Sequence, residues 1–484
     1  MPSILRVYPY GLHFFGSNLS RSRVYGHCGS HPDDAGRENP NAMKQSFFIA
    51  GAVALASAGA LLLFSFNTSP TKECCMKPAA ERPPGCVFKT VFEGEGLDPN
   101  FTVKTPAQVI ASQDKAFDWM VQAQNQDGGF AAGTHARQDV MDPHASPSDP
   151  ATTAMVSMAM LRAGSTLVEG RFSEPLKRAT EFLLKTVEAA PEDALNITPL
   201  TGTQIQVKLG QNIDVALTAQ YLSNLMGRMP CNDPKHDRWL QALNTCTRKI
   251  QKAQSGDGST AGSGWAGVLQ SSFATNALES AKHVGAAVSD TALAKAREWQ
   301  QGNFNASTGT VATDAAAGVT LYAVSSSTRS SAKQAREANE VLSKAKKEGK
   351  VEDSAPVNVE SLMDAGMNRD DAEKANTAYK VYEAAKVQAQ ADNVISGFGN
   401  NGGEEFLSFL QTGESLIINK DESWKNWYGS TTARLIEIQN PDGSWNGHHC
   451  ITSPVFCTAT SLLILSVNND IEQLVAQGAT VKRK

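Results

Sequence analysis

Two kinds of helical pattern alternate along residues 105–470. In one kind, apolar side chains recur every three or four positions, which predicts a helix with one buried face. In the other kind, small and apolar residues fill nearly every position, as in the runs 151–161 and 454–467. A helix that is apolar on all sides is buried. The alternation therefore predicts helical hairpins, each pairing a half-exposed outer helix with a wholly buried inner helix.

The turn inside these hairpins has a recurring sequence. Segments 124–128, 254–258 and 439–443 each read Gln-x-x-Asp-Gly, and a reduced copy begins at Gln300. Asp and Gly are turn residues, and Gly adopts the positive φ that other residues avoid. Repeats of this kind mark stacked hairpins, in which neighbouring units bury the inner helix that one unit cannot bury alone.

These turns resemble the Gln-Trp repeats of the squalene cyclase and protein prenyltransferase superfamily. The copy that ends at Trp445 is the most specific, and the resemblance covers residues 105–470. In that family the Gln caps an outer helix and the Trp stacks nearby, which ties adjacent hairpins together. The resemblance implies an all-α fold, an (α/α)6 toroid whose inner helices surround a central cavity.

A long uncharged stretch precedes the repeats. Residues 47–66 are mostly apolar and long enough to cross a bilayer as one helix. More basic residues precede this stretch than follow it, which predicts that the toroid lies outside the cytosol. Ala56, Ala58 and Ala60 offer the alternative of a cleavage site. Cleavage there would leave apolar residues at the mature end, so we expect a retained anchor, with translation starting at Met43.

The expected location is a membrane, with a single-pass anchor and the toroid on the extracytoplasmic side. In chain order the expected segments are a leader (1–42), a signal anchor forming one transmembrane helix (43–66), a linker (67–104), the toroid (105–470) with an exposed, charged insertion (326–366), and a tail (471–484).

Charge and cysteine content narrow the partners and the compartment. The formal net charge is -5 and no basic stripe with interleaved aromatics occurs, so nucleic-acid binding has no support. Cys231 and Cys246 flank one predicted helix start, and Cys450 and Cys457 flank another. Two local disulfides would suit an oxidising compartment. Reduced, the same cysteines would be ordinary small core residues, and the sequence leaves both alternatives open.

The catalytic motifs of the resembled superfamily are absent from the sequence. Squalene cyclases use an Asp-x-Asp-Asp motif whose middle acid protonates an alkene, and prenyltransferases hold zinc with an Asp-x-Cys pair and a distant His. The chain has neither motif, and it lacks the Cys-Gly-Glu-Gln thioester of complement-like toroids. It also lacks nucleotide-binding fingerprints. Neither family activity is therefore carried over.

Polar residues at the predicted starts of inner helices remain as candidates, because such toroids line their cavity mouth there. The acidic catalytic candidates are Asp214, Asp314, Glu404 and Glu405, and the binding candidates are His144, Asp149, Gln211, His448 and His449. Helix capping is the alternative explanation for the acids, since a carboxylate at a helix N-terminus is favourable by about 0.3 to 1 kcal/mol.

The run His448-His449-Cys450 is the sharpest cluster in the sequence. Histidine and thiolate are zinc ligands, but adjacent residues share one ion with difficulty and the usual ligand spacing is absent. A Cys450–Cys457 disulfide and a packed polar loop are the alternatives. We predict neither a metal nor another cofactor.

Three function hypotheses follow. The first is a membrane-anchored toroid that binds an apolar or isoprenoid ligand, or an envelope protein partner, without catalysis, because the repeats are intact while the catalytic motifs are missing. The second is a divergent enzyme that uses the acids, as an isoprenoid cyclase or transferase, or as a polysaccharide lyase or hydrolase. The third is a structural envelope protein whose charged insertion is its interaction arm.

Overall fold

A computed structural model describes residues 101–260, 262, 264–395, 399 and 402–478. The chain divides into two units, 1–69 and 70–484, and every described residue belongs to the second. The predicted leader and anchor, and the linker up to residue 100, lie outside the described residues. Within the described ranges no helix combines the length and the apolar character that crossing a membrane requires.

The described residues are mostly helical, which confirms the all-α prediction. Two short antiparallel strands, β1 (Phe304–Asn305) and β2 (Thr310–Val311), lie between the eighth and ninth helices. The helices are α1 (Ala107–Gln122), α2 (Pro150–Arg162), α3 (Ser173–Ala189), α4 (Gln204–Leu209), α5 (Ile213–Met226), α6 (His236–Ala253), α7 (Gly267–His283), α8 (Asp290–Gly302), α9 (Thr320–Lys347), α10 (Val359–Asp364), α11 (Arg369–Ala389), α12 (Asp392–Ile395), α13 (Glu404–Ile418), α14 (Trp424–Glu437), α15 (Pro454–Leu465) and α16 (Ile471–Gly478).

Six inner helices pack on one another in a closed cycle. In order they are α2, α5, α7, α9, α13 and α15, and α15 packs in turn on α2. All of them are buried along most of their length except α9, whose first half alone is buried throughout. The outer helices α1, α3, α6, α8, α11 and α14 pack against this cycle. This is the alternation of outer and inner helices that the apolar pattern predicts.

The Gln-x-x-Asp-Gly turns join neighbouring outer helices. The side-chain amide of Gln439 donates to the Gly443 carbonyl in its own turn at 2.8 Å and to the Ser112 carbonyl of α1 at 3.1 Å. The second bond ties the last outer helix to the first. The other two turns repeat this arrangement, from Gln124 to Gly128 and to Pro175 of α3, and from Gln254 to Gly258 and to Ala292 of α8.

Gly443 is required in the closing turn for two reasons. Its φ is +100°, a conformation in which an L side chain is strained. A Cβ atom at this position would also lie 2.7 Å from the Lys115 carbonyl oxygen of α1. The following Trp445 amide donates to Thr458 Oγ1 of α15 at 2.9 Å. One turn therefore holds an outer helix, its inner partner and the neighbouring outer helix together.

The reduced copy at Gln300 is built differently. Its side-chain amide donates backward to the Val268 carbonyl of the inner helix α7 at 3.1 Å. A Cβ atom on Gly302 would meet nothing within 4 Å. This turn therefore lacks the close approach to the next outer helix, and the β1–β2 hairpin follows it.

The prediction of an exposed insertion at 326–366 is wrong for the first part of this range, while residues 347–360 are exposed or partly exposed. Residues 321–332 of α9 are all buried and form part of the inner cycle. Their polar character hides this in the sequence, because hydroxyls such as that of Thr328 bond to carbonyls of the same helix, here Val324 at 2.7 Å. The rest of α9 packs with α10 and α11 around a small apolar core, which consists of Ala338, Leu342, Leu362, Ala372 and Ala375.

The predicted tail at 471–484 begins with a packed helix rather than a free end. α16 contacts α7, α9 and α13 at the end of the cycle where the inner helices finish. Arg336 of α9 donates to the Val475 carbonyl of α16 at 2.5 Å. Residues 479–484 lie outside the described residues.

Candidate functional site

Five parts of the chain converge at the end of the cycle where the inner helices begin. Lys208 of α4 lies with its ammonium nitrogen 2.8 Å from Glu404 Oε1 of α13 and 3.8 Å from Cys450 Sγ in the loop before α15. The same nitrogen lies 5.9 Å from the ring centroid of Tyr322 on α9 and 5.8 Å from that of Trp265. We call these five residues the mouth cluster.

A short capped helix positions Lys208. Thr203 accepts a hydrogen bond from the Gln206 amide, and the Gln206 side chain bonds back to the Thr203 amide, which makes a capping box at the start of α4. Lys208 follows within the same helix and its side chain is only 7% exposed. A lysine buried to this degree requires a charged or hydrogen-bonding partner, which Glu404 supplies.

Glu404 has one satisfied oxygen and one unsatisfied oxygen. Its Oε1 accepts from Lys208 at 2.8 Å and from the Tyr322 hydroxyl at 3.0 Å. Its Oε2 is buried and has no hydrogen-bond partner. A Cβ atom on Gly402 would collide with this oxygen. A buried acceptor without a partner costs about 1–3 kcal/mol, so a donor brought to Oε2 would be stabilising.

Cys450 is held in a strained backbone conformation. Its φ is +61°, which is unfavourable for a residue with a side chain. Its amide donates to Gln138 Oε1 at 2.8 Å, and Thr452 Oγ1 donates to the Gln138 carbonyl at 2.7 Å. The Thr452 amide donates to Gln204 Oε1 at 2.8 Å. Strain that is maintained by bonds from distant parts of the chain is concentrated at functional sites in proteins.

The Cys450 thiol is close to the His449 imidazole and to the charged groups of Lys208 and Glu404. Its Sγ is 3.0 Å from His449 Nδ1 and 3.8 Å from the Lys208 ammonium. Burial and the Glu404 carboxylate raise the pKa of the Cys450 thiol, while Lys208 acts in the opposite direction. The thiol is therefore protonated at neutral pH, and His449 is placed to accept its proton.

Trp265 forms an exposed aromatic rim on this site. Its side chain is 58% exposed although it stands beside the buried Lys208. The His135 ring meets it edge-on, with the centroids 6.0 Å apart. An exposed aromatic face next to convergent polar groups is the composition of many ligand sites.

The structure brings three of the predicted site residues together and leaves the others outside the mouth cluster. Glu404, His449 and Cys450 meet as described above. Glu405 is buried beside Glu404 and accepts from the Gly399 amide at 2.8 Å. Among the described residues, no three His, Cys, Asp or Glu side chains are grouped to hold a metal ion. The side chains of His144, Gln211 and Asp314 are exposed elsewhere, and His448 is exposed with its ring centroid 5.5 Å from that of His449.

Asp149 and Asp214 are fully buried acids whose oxygens serve the backbone. Asp149 caps α2, where its Oδ2 accepts from the Thr152 amide at 2.7 Å. Asp214 accepts from the Ile197 and Val215 amides, both at 2.8 Å, with one oxygen each. Burial raises the pKa of Asp149 to about 6 and that of Asp214 to about 7. Capping and loop anchoring therefore account for both residues.

Neither predicted local disulfide is present. Cys246, Cys450 and Cys457 are free thiols, and Cys231 is in a disulfide that involves none of these three. Cys450 and Cys457 do not pair because their sulfur atoms have different surroundings. The first lies beside Lys208, and the second is buried and lies 3.7 Å from the Ile451 carbonyl oxygen.

The opposite end of the cycle is closed by buried ion pairs. Arg162 lies 2.8 Å from Asp470 and 2.7 Å from Glu414, and Arg228 also pairs with Asp470. Burial alone would raise the pKa of Asp470, but Arg228 and Arg162 outweigh it and lower that pKa. The cavity between the inner helices and α16 at this end has a volume of about 20 Å³, which accommodates about one water molecule. The hollow that the resemblance implies is filled at this end.

Sequence reasoning did not identify Lys208, Tyr322 or Trp265 as site residues. Lys208 falls in a segment predicted as a loop, although the Thr203-x-x-Gln206 pattern is a recognisable helix start. Its contact with Cys450 spans 242 positions and depends on closure of the cycle. No local pattern carries that information.

Comparison with known proteins adds little to this description. No family model matches the chain, and no curated protein matches it. Two similar solved structures are of the type II terpene cyclase MstE from Scytonema, one a variant in complex with its product merosterolic acid A and one in the apo form. Their sequence identities are 13% and 12%, both TM-scores are 0.30, and each alignment covers 75% of this chain and 98% of that chain. Similarity at this level establishes neither a family nor an activity.

Proposed function

We propose that residues 105–478 form an (α/α)6 toroid of the terpenoid cyclase and prenyltransferase type that binds an apolar ligand at the mouth cluster. Cyclisation and prenyl transfer are not part of this function. The ligand has an apolar body, as in an isoprenoid, and a hydrogen-bonding or anionic end group. The segment 43–66 anchors the protein in a membrane, with the toroid on the extracytoplasmic side.

The exposure of Trp265 beside the buried Lys208–Glu404 pair carries this proposal. The indole face offers an apolar surface for the ligand body. Lys208 and the unsatisfied Oε2 of Glu404 offer a donor and an acceptor to its end group. At the other end of the cycle the cavity of about 20 Å³ is too small for such a ligand. The inner helices are therefore approached from the mouth side.

An acid-dependent cyclase or transferase has less support. Protonation of an alkene requires a protonated carboxyl group that faces the substrate. Glu404 accepts from a lysine and a tyrosine, Asp214 accepts from two backbone amides, and Asp314 is exposed. An interaction arm spanning 326–366 also has less support, because residues 326–332 are buried in the inner cycle and the rest of α9 packs with α10 and α11.

Binding of radiolabelled geranyl diphosphate tests the proposal. This soluble probe combines a short isoprenoid body with an anionic end group, and equilibrium dialysis against the full-length protein in lipid nanodiscs measures its affinity. We expect saturable binding that Trp265→Ala weakens about tenfold, which corresponds to about 1.4 kcal/mol of lost contact. Geraniol is expected to bind more weakly, because its neutral hydroxyl lacks the charge that attracts the Lys208 ammonium.

The matched control is Val168→Ala. Val168 is 72% exposed and lies in the loop after α2, at the end of the cycle remote from the mouth cluster. Its substitution is expected to leave the affinity unchanged. Binding no greater than that of empty nanodiscs, or an equal loss in both variants, would remove the proposal.

A further inference from the structure

Cys450 differs from the other free thiols that the structure describes. Cys246 and Cys457 are completely buried. Cys450 is partly exposed and has the His449 imidazole 3.0 Å from its sulfur. A thiol within hydrogen-bonding reach of an imidazole is the arrangement that activates cysteine nucleophiles.

We propose that Cys450 is a nucleophile that accepts an acyl group from an activated ester or thioester, with His449 as its general base. This inference shares one requirement with the proposed function, namely that the mouth cluster is open to ligands. It does not depend on the apolar body of that ligand or on Trp265.

The surrounding groups fit acyl transfer in three respects. The Cys450 backbone, with φ +61°, is fixed by the bond from its amide to Gln138 Oε1 and by the bond from Thr452 Oγ1 to the Gln138 carbonyl. These bonds hold the thiol in place. The Lys208 ammonium, 3.8 Å from the sulfur, is placed to donate to an oxyanion that forms on a carbon bonded to that sulfur. The unpaired Oε2 of Glu404 leaves one acceptor in the site for a donor on the incoming molecule.

The step balances without an oxidant or a further reactant. The Cys450 thiol gives its proton to His449 Nδ1 while Sγ forms a bond to the acyl carbon. The carbonyl oxygen carries the resulting negative charge and is stabilised by Lys208. When the carbonyl re-forms, the bond to the leaving oxygen or sulfur breaks, and His449 returns the proton to that atom. The products are a Cys450 thioester and a free alcohol or thiol.

Charged groups from several elements set the pH dependence of this reaction. Lys208 of α4 favours the thiolate, whereas Glu404 of α13 disfavours it. Tyr322 of α9 is a neutral donor, because burial and Glu404 raise its pKa. His449 is the one base in direct contact with the sulfur among the described residues. The rate is therefore expected to rise from acidic to alkaline pH.

Acetylation by p-nitrophenyl acetate tests the proposal on the full-length protein. The release of p-nitrophenol gives the rate, and peptide mapping locates the acetyl group. We expect one rapid acetylation at Cys450, which is lost in Cys450→Ser. His449→Asn is expected to slow it by about tenfold or more, since general-base assistance contributes at least that factor.

Two matched variants separate this role from a structural one. His144→Asn alters an exposed histidine outside the mouth cluster and is expected to leave the rate unchanged. Cys457→Ser alters a buried thiol and is expected to do the same. Acetylation of Cys457 as fast as that of Cys450, or an unchanged rate in His449→Asn, would overturn the proposal. A Trp265→Ala protein that loses geranyl diphosphate but keeps acetylation would separate this inference from the proposed ligand.

Discussion

Asp149 and Asp214 show how the fold changes the chemistry of individual residues. Both are completely buried, and Oδ1 of Asp149 has no hydrogen-bond partner. Burial raises the pKa of Asp149 to about 6, and burial together with the Asp149 charge raises that of Asp214 to about 7. The sequence predicts carboxylates at helix starts but not this shift, which depends on the packing of neighbouring helices around them.

Asp149 and Asp214 are expected to make the free energy of unfolding fall as the pH rises from about 4 to about 7. The ordinary pKa of an aspartate is about 3.9, so these two residues hold more protons in the native state than in the unfolded state across this interval. The stabilisation is complete below the unfolded pKa and is lost as the pH rises through the raised native values. The buried His283, whose pKa burial lowers to about 4, contributes the opposite slope in the same interval and makes the net fall smaller. Urea unfolding at a series of pH values measures this slope.

Asp149→Asn is expected to flatten that slope. Asparagine retains the cap on α2, and its amide group can take the position of the unpaired oxygen. The variant also removes the charge that helps to raise the pKa of Asp214. Asp314→Asn is the control, since Asp314 is exposed. Identical slopes in the wild type and Asp149→Asn would contradict this account.

At the scale of single elements, the closing turn of the cycle gives the clearest stability prediction. Gln439→Ala removes the amide that bonds to the turn and to α1, and is expected to lower the free energy of unfolding by about 1–2 kcal/mol. Gln126→Ala, in the equivalent turn after α1, alters an exposed glutamine and is expected to have little effect. Thermal unfolding followed by circular dichroism measures both. Equal losses would show that the bond to α1 contributes nothing.

The hairpins could be predicted from the sequence because their signals are local. A glutamine, an Asp-Gly turn and an apolar run lie within one unit, and the structure repeats the same hydrogen bonds at three of the turns. The inner half of α9 could not be recognised in this way. Its run Ser325–Ser331 reads as a solvated segment, yet Arg329 is only 2% exposed and pairs with Glu279 and Glu414.

The candidate site could be predicted only in part. Glu404, His449 and Cys450 stand at predicted helix starts, so their position in the sequence singles them out. Lys208, the partner of Glu404 and Cys450, lies in another third of the chain, and its contact with Cys450 exists only in the folded cycle. The sequence left a Cys450–Cys457 disulfide open, and the structure shows both cysteines as free thiols.

At the scale of the whole described ring, the two ends of the cycle are built differently. The end where inner helices finish is filled by α16 and by the ion pairs of Arg162 with Asp470 and Glu414. The end where they begin presents Trp265, partly exposed Cys450 and a buried ion pair. The ligand binding and the acyl transfer that we propose both belong to this second end.

Protection of Cys450 by a bound ligand tests this assignment most directly. Alkylation of the full-length protein with iodoacetamide, followed by peptide mapping, gives the rate at Cys450 with and without saturating geranyl diphosphate. If Trp265 and Cys450 belong to one site, the ligand slows alkylation in the wild type, and about tenfold more ligand is needed for the same slowing in Trp265→Ala. An unchanged rate in wild-type protein that demonstrably binds the ligand would place the ligand elsewhere and contradict the account.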